Sequence, residues 1–323
     1  MLGFVIQRLL QAALVMAVMS MLVFIGVYAI GNPIDVLLSP DADQKIRADT
    51  IARYGLDRPL WEQYFAFVGR LIRGDFGRSF IFGISVLDLV FSRLPATLEL
   101  TIAATLGATL IGVPLGMYAG YKPDAPLAKS IMAISILGFS VPTFWIGIVL
   151  IYTFAITLPW LPAGRRGDTA LLFGIEWSFL TLDGLKHLFL PALNLSFFKL
   201  AMMIRLARAG TREVMLTDTV RFARAAGLRE STILRRHVLK LIAIPLVTVF
   251  GLELASTMAF AVVTETIFSW PGVGKLIIDS ITTLDRPVMV SYLVLVAFMF
   301  ITINLIVDLT YAVLDPRIRK GRT

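Results

Sequence analysis

Six apolar stretches, each long enough to cross a bilayer, constrain this chain more than any other feature. They run Leu9 to Ile30, Ala96 to Tyr118, Ser130 to Thr157, Leu188 to Ile204, Ile242 to Phe268 and Val288 to Val313. Inside a hydrocarbon layer every backbone N–H and C=O must find an internal partner, so such stretches become helices. The expectation is an all-α integral membrane protein with six transmembrane helices. A hydrophobic fraction of 57% over 323 residues fits that class and not a soluble domain with one large core. The first run is longer than the apolar core of a cleaved signal peptide, and reads as a retained span.

An even number of spans puts both termini on one side, and charge says which. The N-terminus (+1), 121–129 (+1), 205–241 (+6) and the tail (+3) are all basic, whereas the three intervals on the opposite face each sum to zero. Basic residues mark the cytoplasmic side, so both termini and the 205–241 interval are expected there. The organisation is then a first segment and span (1–30), an outer loop with short helices (31–94), a core of five spans that includes the 205–241 interval (95–313) and a basic tail (314–323). Within the outer loop a helix is expected around Trp61 to Leu71, lying at the membrane surface. Ser269 to Pro287 is a polar loop with room for a short re-entrant helix. Gly112, Pro114 and Gly116 should bend the second span or admit a close neighbour.

The 205–241 interval is the one long polar segment with strongly one-sided charge. Arg205, Arg208, Arg212, Arg221, Arg224, Arg229, Arg235, Arg236 and Lys240 face only Glu213, Asp218 and Glu230. Its local chemistry predicts two short helices and a break. Thr217 or Asp218 can cap the first by accepting a backbone N–H bond, and Gly227 can end it in a left-handed turn. Val220, Ala223 and Ala226 recur at helical spacing and share a small apolar face, beside a basic face with Arg221 and Arg224. So little bulk at Ala223, Ala225, Ala226 and Gly227 would let another protein's backbone approach. The segment therefore reads as a docking arm, or as a solvated basic loop held inside by its charge.

An enzyme is hard to build from this inventory. There are no cysteines, and His187 and His237 stand alone. Gly272, Gly274 and Lys275 lack the leading glycine and the following Ser or Thr of a phosphate-binding loop, so ATP-driven work would need separate ATPase chains. No nucleophile–base pair or metal set is visible. The basic balance, being segregated by side, points to topology and not to nucleic acid.

Charges within the spans are costly and therefore candidates for function. Lys199 can snorkel to the cytoplasmic headgroups, or face a wet cavity and attract a carboxylate or pair with Glu253. Glu253 lies nearer mid-span, facing a cavity or another subunit. Glu99 and Glu265 fall near outer span ends and are expected to be solvated; Asp308 lies near the inner boundary. In Ser140-Val-Pro-Thr-Phe-Trp145, Pro142 frees a backbone carbonyl that Ser140 and Thr143 can re-satisfy, unless they line a polar path. Phe144 and Trp145 complete that spot. The translocation path is thus assigned to Ser140, Thr143, Phe144, Trp145, Lys199, Glu253 and Glu265.

Several longer motifs carry a resemblance over nearly the whole chain. They are GLDRPLWEQY (55–64), GDFGRS (74–79), LPATLEL (94–100), GVPLG (112–116), SVPTFW (140–145), ARAAG (223–227), ETIFSWPGVGK (265–275) and NLIVDLTYAVLDPRIR (304–319). With these the chain resembles the first inner-membrane permease of the dipeptide/oligopeptide/nickel ABC importers. The resemblance implies a type I importer permease whose cytoplasmic loop docks into an ATPase subunit through Thr219, Arg221, Phe222, Ala223, Arg224, Ala226, Gly227 and Leu228. Ala223 and Gly227 match the Ala and Gly of the general permease signature, while Arg221 stands where many members have Glu. Thr219 and Ala226 replace a usual Tyr and Lys, Asn32 replaces an Asp, Glu253 a common Gln, and Lys199 an apolar residue.

The partners so implied are a second, homologous permease, two ATP-binding subunits carrying ATP and Mg, a periplasmic binding protein and the lipid bilayer. No cofactor is expected on this chain, no nucleic acid as partner, and the bacterial inner membrane is the expected location. The rival reading is a stand-alone secondary transporter in which Lys199, Glu253 and Asp308 relay ions or protons. It lacks the support of an inverted repeat.

Overall fold

A computed structural model of the chain describes residues 2–30, 43–54 and 57–314, with side chains described within 10–26, 43–52 and 57–305 apart from positions 12, 50, 139 and 259. Asn32, the basic tail and the Asp308 side chain lie outside this description. The described residues are helical almost throughout. Four helices are long and apolar enough to cross a membrane: Val86–Tyr121, Leu182–Met215, Glu230–Met258 and Arg286–Leu305. A fifth span arises if the bent pair Pro126–Gly138 and Thr143–Thr157 counts as one. The N-terminal helix α1, Leu2–Ile30, has 29 residues, and at ~1.5 Å per residue its length exceeds a hydrocarbon layer ~30 Å thick.

The chain forms two compact units, 1–95 with 271–301, and 96–270 with 302–323. In the first unit α1 is followed by α2 (Gln44–Tyr54) and α3 (Leu60–Ile72). The α3 helix matches the expected helix near Trp61. Its Tyr64 hydroxyl meets Ser20 of α1 at 2.9 Å, and Phe24 stacks against Phe67 with ring centroids 5.8 Å apart. Leu60, Trp61, Phe65 and Ile72 of α3 stay exposed. Further along, Asp285 is buried and accepts hydrogen bonds from the Ser79 hydroxyl and, at 3.1 Å, from the Phe80 N–H. That carboxylate fastens the 76–85 loop to the turn between α11 (Val273–Thr282) and α12 (Arg286–Leu314). The α11 helix occupies the polar loop where a short helix was expected.

Helix α4 is Val86–Tyr121, beginning ten residues before the apolar run because polar side chains do not by themselves end a helix. Helices α5 (Pro126–Ser140) and α6 (Thr143–Leu150, prolonged by a π-helical Ile151–Thr157) meet at a bend of 105°. Pro142 therefore lies at a break between two helices. A small antiparallel hairpin follows, β1 (Ala170–Leu172) and β2 (Ile175–Trp177), with Leu171 opposite Glu176. It is a minor departure from the all-helical expectation. Helix α7 (Leu182–Met215) contains Pro191 and runs eleven residues past the expected end of the fourth span. Its Thr181 cap accepts the Gly184 N–H at 2.9 Å.

Glycines fix how closely α4 and α7 approach. Gly112, Gly116 and Gly120 recur at four-residue steps along α4 and so share one face. A Cβ at Gly116 would lie 2.4 Å from the Ile204 carbonyl oxygen, and at Gly120 2.7 Å from that of Arg208. Of the two roles expected for these glycines, close approach is the one observed, since α4 continues through them. Gly116→Val should destabilise the protein by about 1–3 kcal/mol or more, seen as a lower unfolding midpoint in detergent. Gly107→Val, with nothing within 4 Å of its added Cβ, should leave the midpoint unchanged.

Candidate functional site

The basic arm folds as expected in outline and differs in detail. Helix α8 spans Asp218–Ala225 and is followed by a helical turn, Glu230–Thr232, a π-helical segment, Ile233–Val238, and α9, Leu239–Phe260. Gly227 adopts φ +78°. The Leu228 N–H donates to the Ala223 carbonyl at 3.1 Å and the Gly227 N–H to that of Arg224 at 2.9 Å. These two bonds make a Schellman ending, which needs a residue that tolerates the left-handed region. The break at Gly227 is thus a property of the glycine itself.

The expected N-cap is not formed. The Thr217 hydroxyl donates to the Val214 carbonyl at 2.7 Å, closing the end of α7, and Asp218 instead pairs with Arg221 at 3.1 Å. A hydroxyl between two helices can serve either end, and here the unpaired carbonyls of α7 claim it.

The small face also points the other way from what docking by close backbone approach would require. Val220 is fully buried and Ala223 is 3% exposed, packed with Met203, Ala207, Ile233, Val238, Ile242 and Leu246. Ala223 therefore holds the arm to its own helices. Ala226 does not join that face and is exposed, as are Thr219, Arg221 and Gly227. The apolar groups left outward are Phe222, 77% exposed, and Leu228, 42% exposed. Arg224 is tied back to Glu230 by two bonds of 2.7 and 3.3 Å. That hydrogen-bonded carboxylate raises the guanidinium above its ordinary value.

Within the helices, Lys199 does not snorkel. Its Nζ lies 3.7 Å from Glu253 Oε2, with side chains 8% and 14% exposed. Glu265 and Glu99 are buried and not solvated, which corrects the reading of both. Glu265, in α10 (Val262–Ile267), accepts the Thr97 hydroxyl at 2.5 Å. Glu99 accepts Arg166 Nε and Nη2 at 3.1 and 2.9 Å, and the N–H and hydroxyl of Ser178 at 2.6 and 2.7 Å. This four-bond clamp fastens the hairpin region to α4, and no local sequence signal announced it. Phe144, Trp145 and Thr143 are exposed, and the Ser140 hydroxyl is occupied by the Ile136 carbonyl at 3.0 Å. Among the described residues no hydrogen bond or ion pair joins this group to Lys199 or Glu253.

Residues 112–320 match the family described as binding-protein-dependent transport system inner membrane component, and residues 1–101 match its N-terminal counterpart. The chain belongs to this family. As a member of this permease family it is 39% identical to the di/tripeptide transport system permease protein DppB of Pseudomonas aeruginosa (strain UCBPP-PA14), over 90% of this chain and 91% of that one. It is 34% identical to the oligopeptide transport system permease protein AppB of Bacillus subtilis (strain 168), over 98% and 99%. A structure of the MetNI methionine ABC transporter in inward-facing conformations superposes with a TM-score of 0.55 at 15% identity, covering 71% of this chain and 97% of that one. That likeness establishes an ABC-importer permease fold.

In this permease the inward and outward faces of α8 should respond differently to substitution. Ala223→Leu should cost about 1–3 kcal/mol by overpacking, whereas Phe222→Ala should stay within about 0.5 kcal/mol of wild type. Thermal unfolding of the purified protein measures both.

Proposed function

We propose that this chain is the transmembrane permease subunit of an ATP-driven importer, forming half of a pathway for short peptides or a related small solute brought by a periplasmic binding protein. It supplies no chemistry of its own. ATP and Mg sit on two separate ATPase subunits, and a second homologous permease completes the path. Both termini and the arm face the cytoplasm, as the basic excess of 205–241 argues. The full-length similarity to peptide permeases supports the cargo class.

The observation that carries the mechanism is the arm's two-sidedness. Its inner face, Val220 and Ala223, is packed onto α7, the π-helical segment and α9, while Phe222 stands out. An ATPase that grips the outer face differently in its two nucleotide states therefore moves the helix ends to which the inner face is packed. Thr219, Arg221, Ala226, Gly227 and Leu228 frame the Phe222 contact, while Ala223 and Arg224 act from within by holding α8 in place. Lys199 and Glu253 remain path residues in this reading, and Ser140 to Trp145 supply an exposed wall. Glu265, buried and bonded, is a positioning group. The ion-relay reading loses its ground, because the family and the fold are those of ABC-importer permeases.

Truncating an exposed aromatic anchor at an interface costs roughly 2 kcal/mol, or about thirtyfold in association. Phe222→Ala and Gly227→Pro should therefore lower ATP-driven uptake in cells at least tenfold, while the protein still inserts in the membrane. Wild-type uptake by both variants would contradict the proposal.

A further inference from the structure

Two opposite charges meet within the apolar length of α7 and α9 and are left under-bonded. The 3.7 Å between Lys199 Nζ and Glu253 Oε2 is well beyond the roughly 2.7–2.9 Å of a charge-assisted hydrogen bond. Among the described residues neither head has another hydrogen-bond or ion-pair partner. The neighbouring Ser256 and Thr257 hydroxyls donate to the backbone carbonyl of Glu253 and not to its carboxylate. Glu99 in the same unit shows what a fully satisfied buried carboxylate looks like, with four donors and its side chain shut off from solvent. Glu253 instead keeps 14% of its side chain accessible and Lys199 keeps 8%, so the pair is not sealed within this chain.

A buried ion pair of loose geometry does not recover the cost of desolvating its two charges. Stability alone therefore does not account for it, and an intramembrane ionisable pair is better explained by what it meets. We propose that Lys199 and Glu253 are a charge-exchange pair that selects zwitterionic solutes. The Lys199 ammonium takes the α-carboxylate of a short peptide and the Glu253 carboxylate takes its α-ammonium as the two side chains release each other. This rests on the reading of the chain as a peptide permease.

A solute with both charges replaces one ion pair by two, so no charge is stranded. A solute with one terminus blocked separates the pair and leaves a buried charge alone, which is the costly state. Selection is thus built from a penalty on the wrong solute as much as from attraction to the right one. The pair joins α7 to α9, the two helices to which α8 is packed, so movement of the arm reaches it directly.

The test uses the whole transporter in proteoliposomes, with its ATPase subunits and binding protein, and the probes dialanine, dialanine amide and N-acetyl-dialanine. Lys199→Met, Glu253→Gln and the double variant K199M/E253Q are compared with wild type, after each is shown to insert and to co-purify with the ATPases. Dialanine uptake should fall at least about tenfold in each, the loss of a contact of ~1.4 kcal/mol. The amide should be carried better by K199M than by wild type, and the N-acetyl form better by E253Q than by wild type, because each variant lacks the charge that solute would strand. Equal fractional losses for free and blocked peptides would mark the pair as a mere staple and overturn the inference. So would wild-type dialanine uptake by K199M/E253Q, in which no charge remains to be stranded. Absence of ATP-driven dialanine uptake in the wild type would instead sink the functional reading, and this inference with it.

Discussion

The whole basic arm depends on the burial of two small side chains, Val220 and Ala223, against the ends of α7 and α9. A helix of eight residues has little stability in isolation, since isolated helices shorter than about 12–15 residues are marginal in water. Helix α8 exists because its inner face is covered by Met203, Ala207, Ile233, Val238 and Ile242, and because Gly227 lets the chain turn back at once. The same contact makes α8 an outward extension of the membrane helices. A force applied to Phe222 or Leu228 has no slack segment to absorb it before it reaches α7.

Stiffness continues inward. Gly112, Gly116 and Gly120 bring α4 against the backbone of α7 so closely that an added Cβ has no room. Small residues at such a contact let the two helix backbones pack directly against each other. At the other end of α7, Glu99 locks the hairpin region to α4 through Arg166 and Ser178. The two buried carboxylate sites of this unit that face cations are thus of different kinds. The Glu99 clamp is short, multiply bonded and closed, which suits a fixed joint. The Lys199–Glu253 pair is long and partly open, which suits an exchange.

Much of this was legible in the sequence, and the reasons for the exceptions are physical. The membrane helices and the break at Gly227 were visible because apolar length and left-handed backbone demand particular residues. Family membership was visible because long motifs recur in order along the chain. The inward orientation of Ala223 was not, since a small residue suits its own core and a partner's approach equally well. Nor was the burial of Glu99 and Glu265. Their partners Arg166 and Thr97 lie 67 and 168 positions away, so only the fold brings the charge to its answer. Helix ends differ for a related reason: α7 continues to Met215 with Arg205, Arg212 and Glu213 exposed while Ala207, Val214 and Met215 pack against the arm, a division that apolar length alone does not report. The three-residue strands of the hairpin are too short to show a period.

The central claim is that the outer face of α8 is cytosolic and is the surface a nucleotide-hydrolysing partner grips. The chain contains no cysteine, so a single one introduced by Phe222→Cys can be followed without background. The decisive measurement is its labelling by a membrane-impermeant maleimide, in intact cells and in inside-out vesicles, with and without the ATPase subunits. The account predicts labelling from the cytosolic side alone, strongly suppressed when the ATPases are bound. Labelling from outside the cell, or undiminished labelling in a fully assembled and transporting complex, would contradict it.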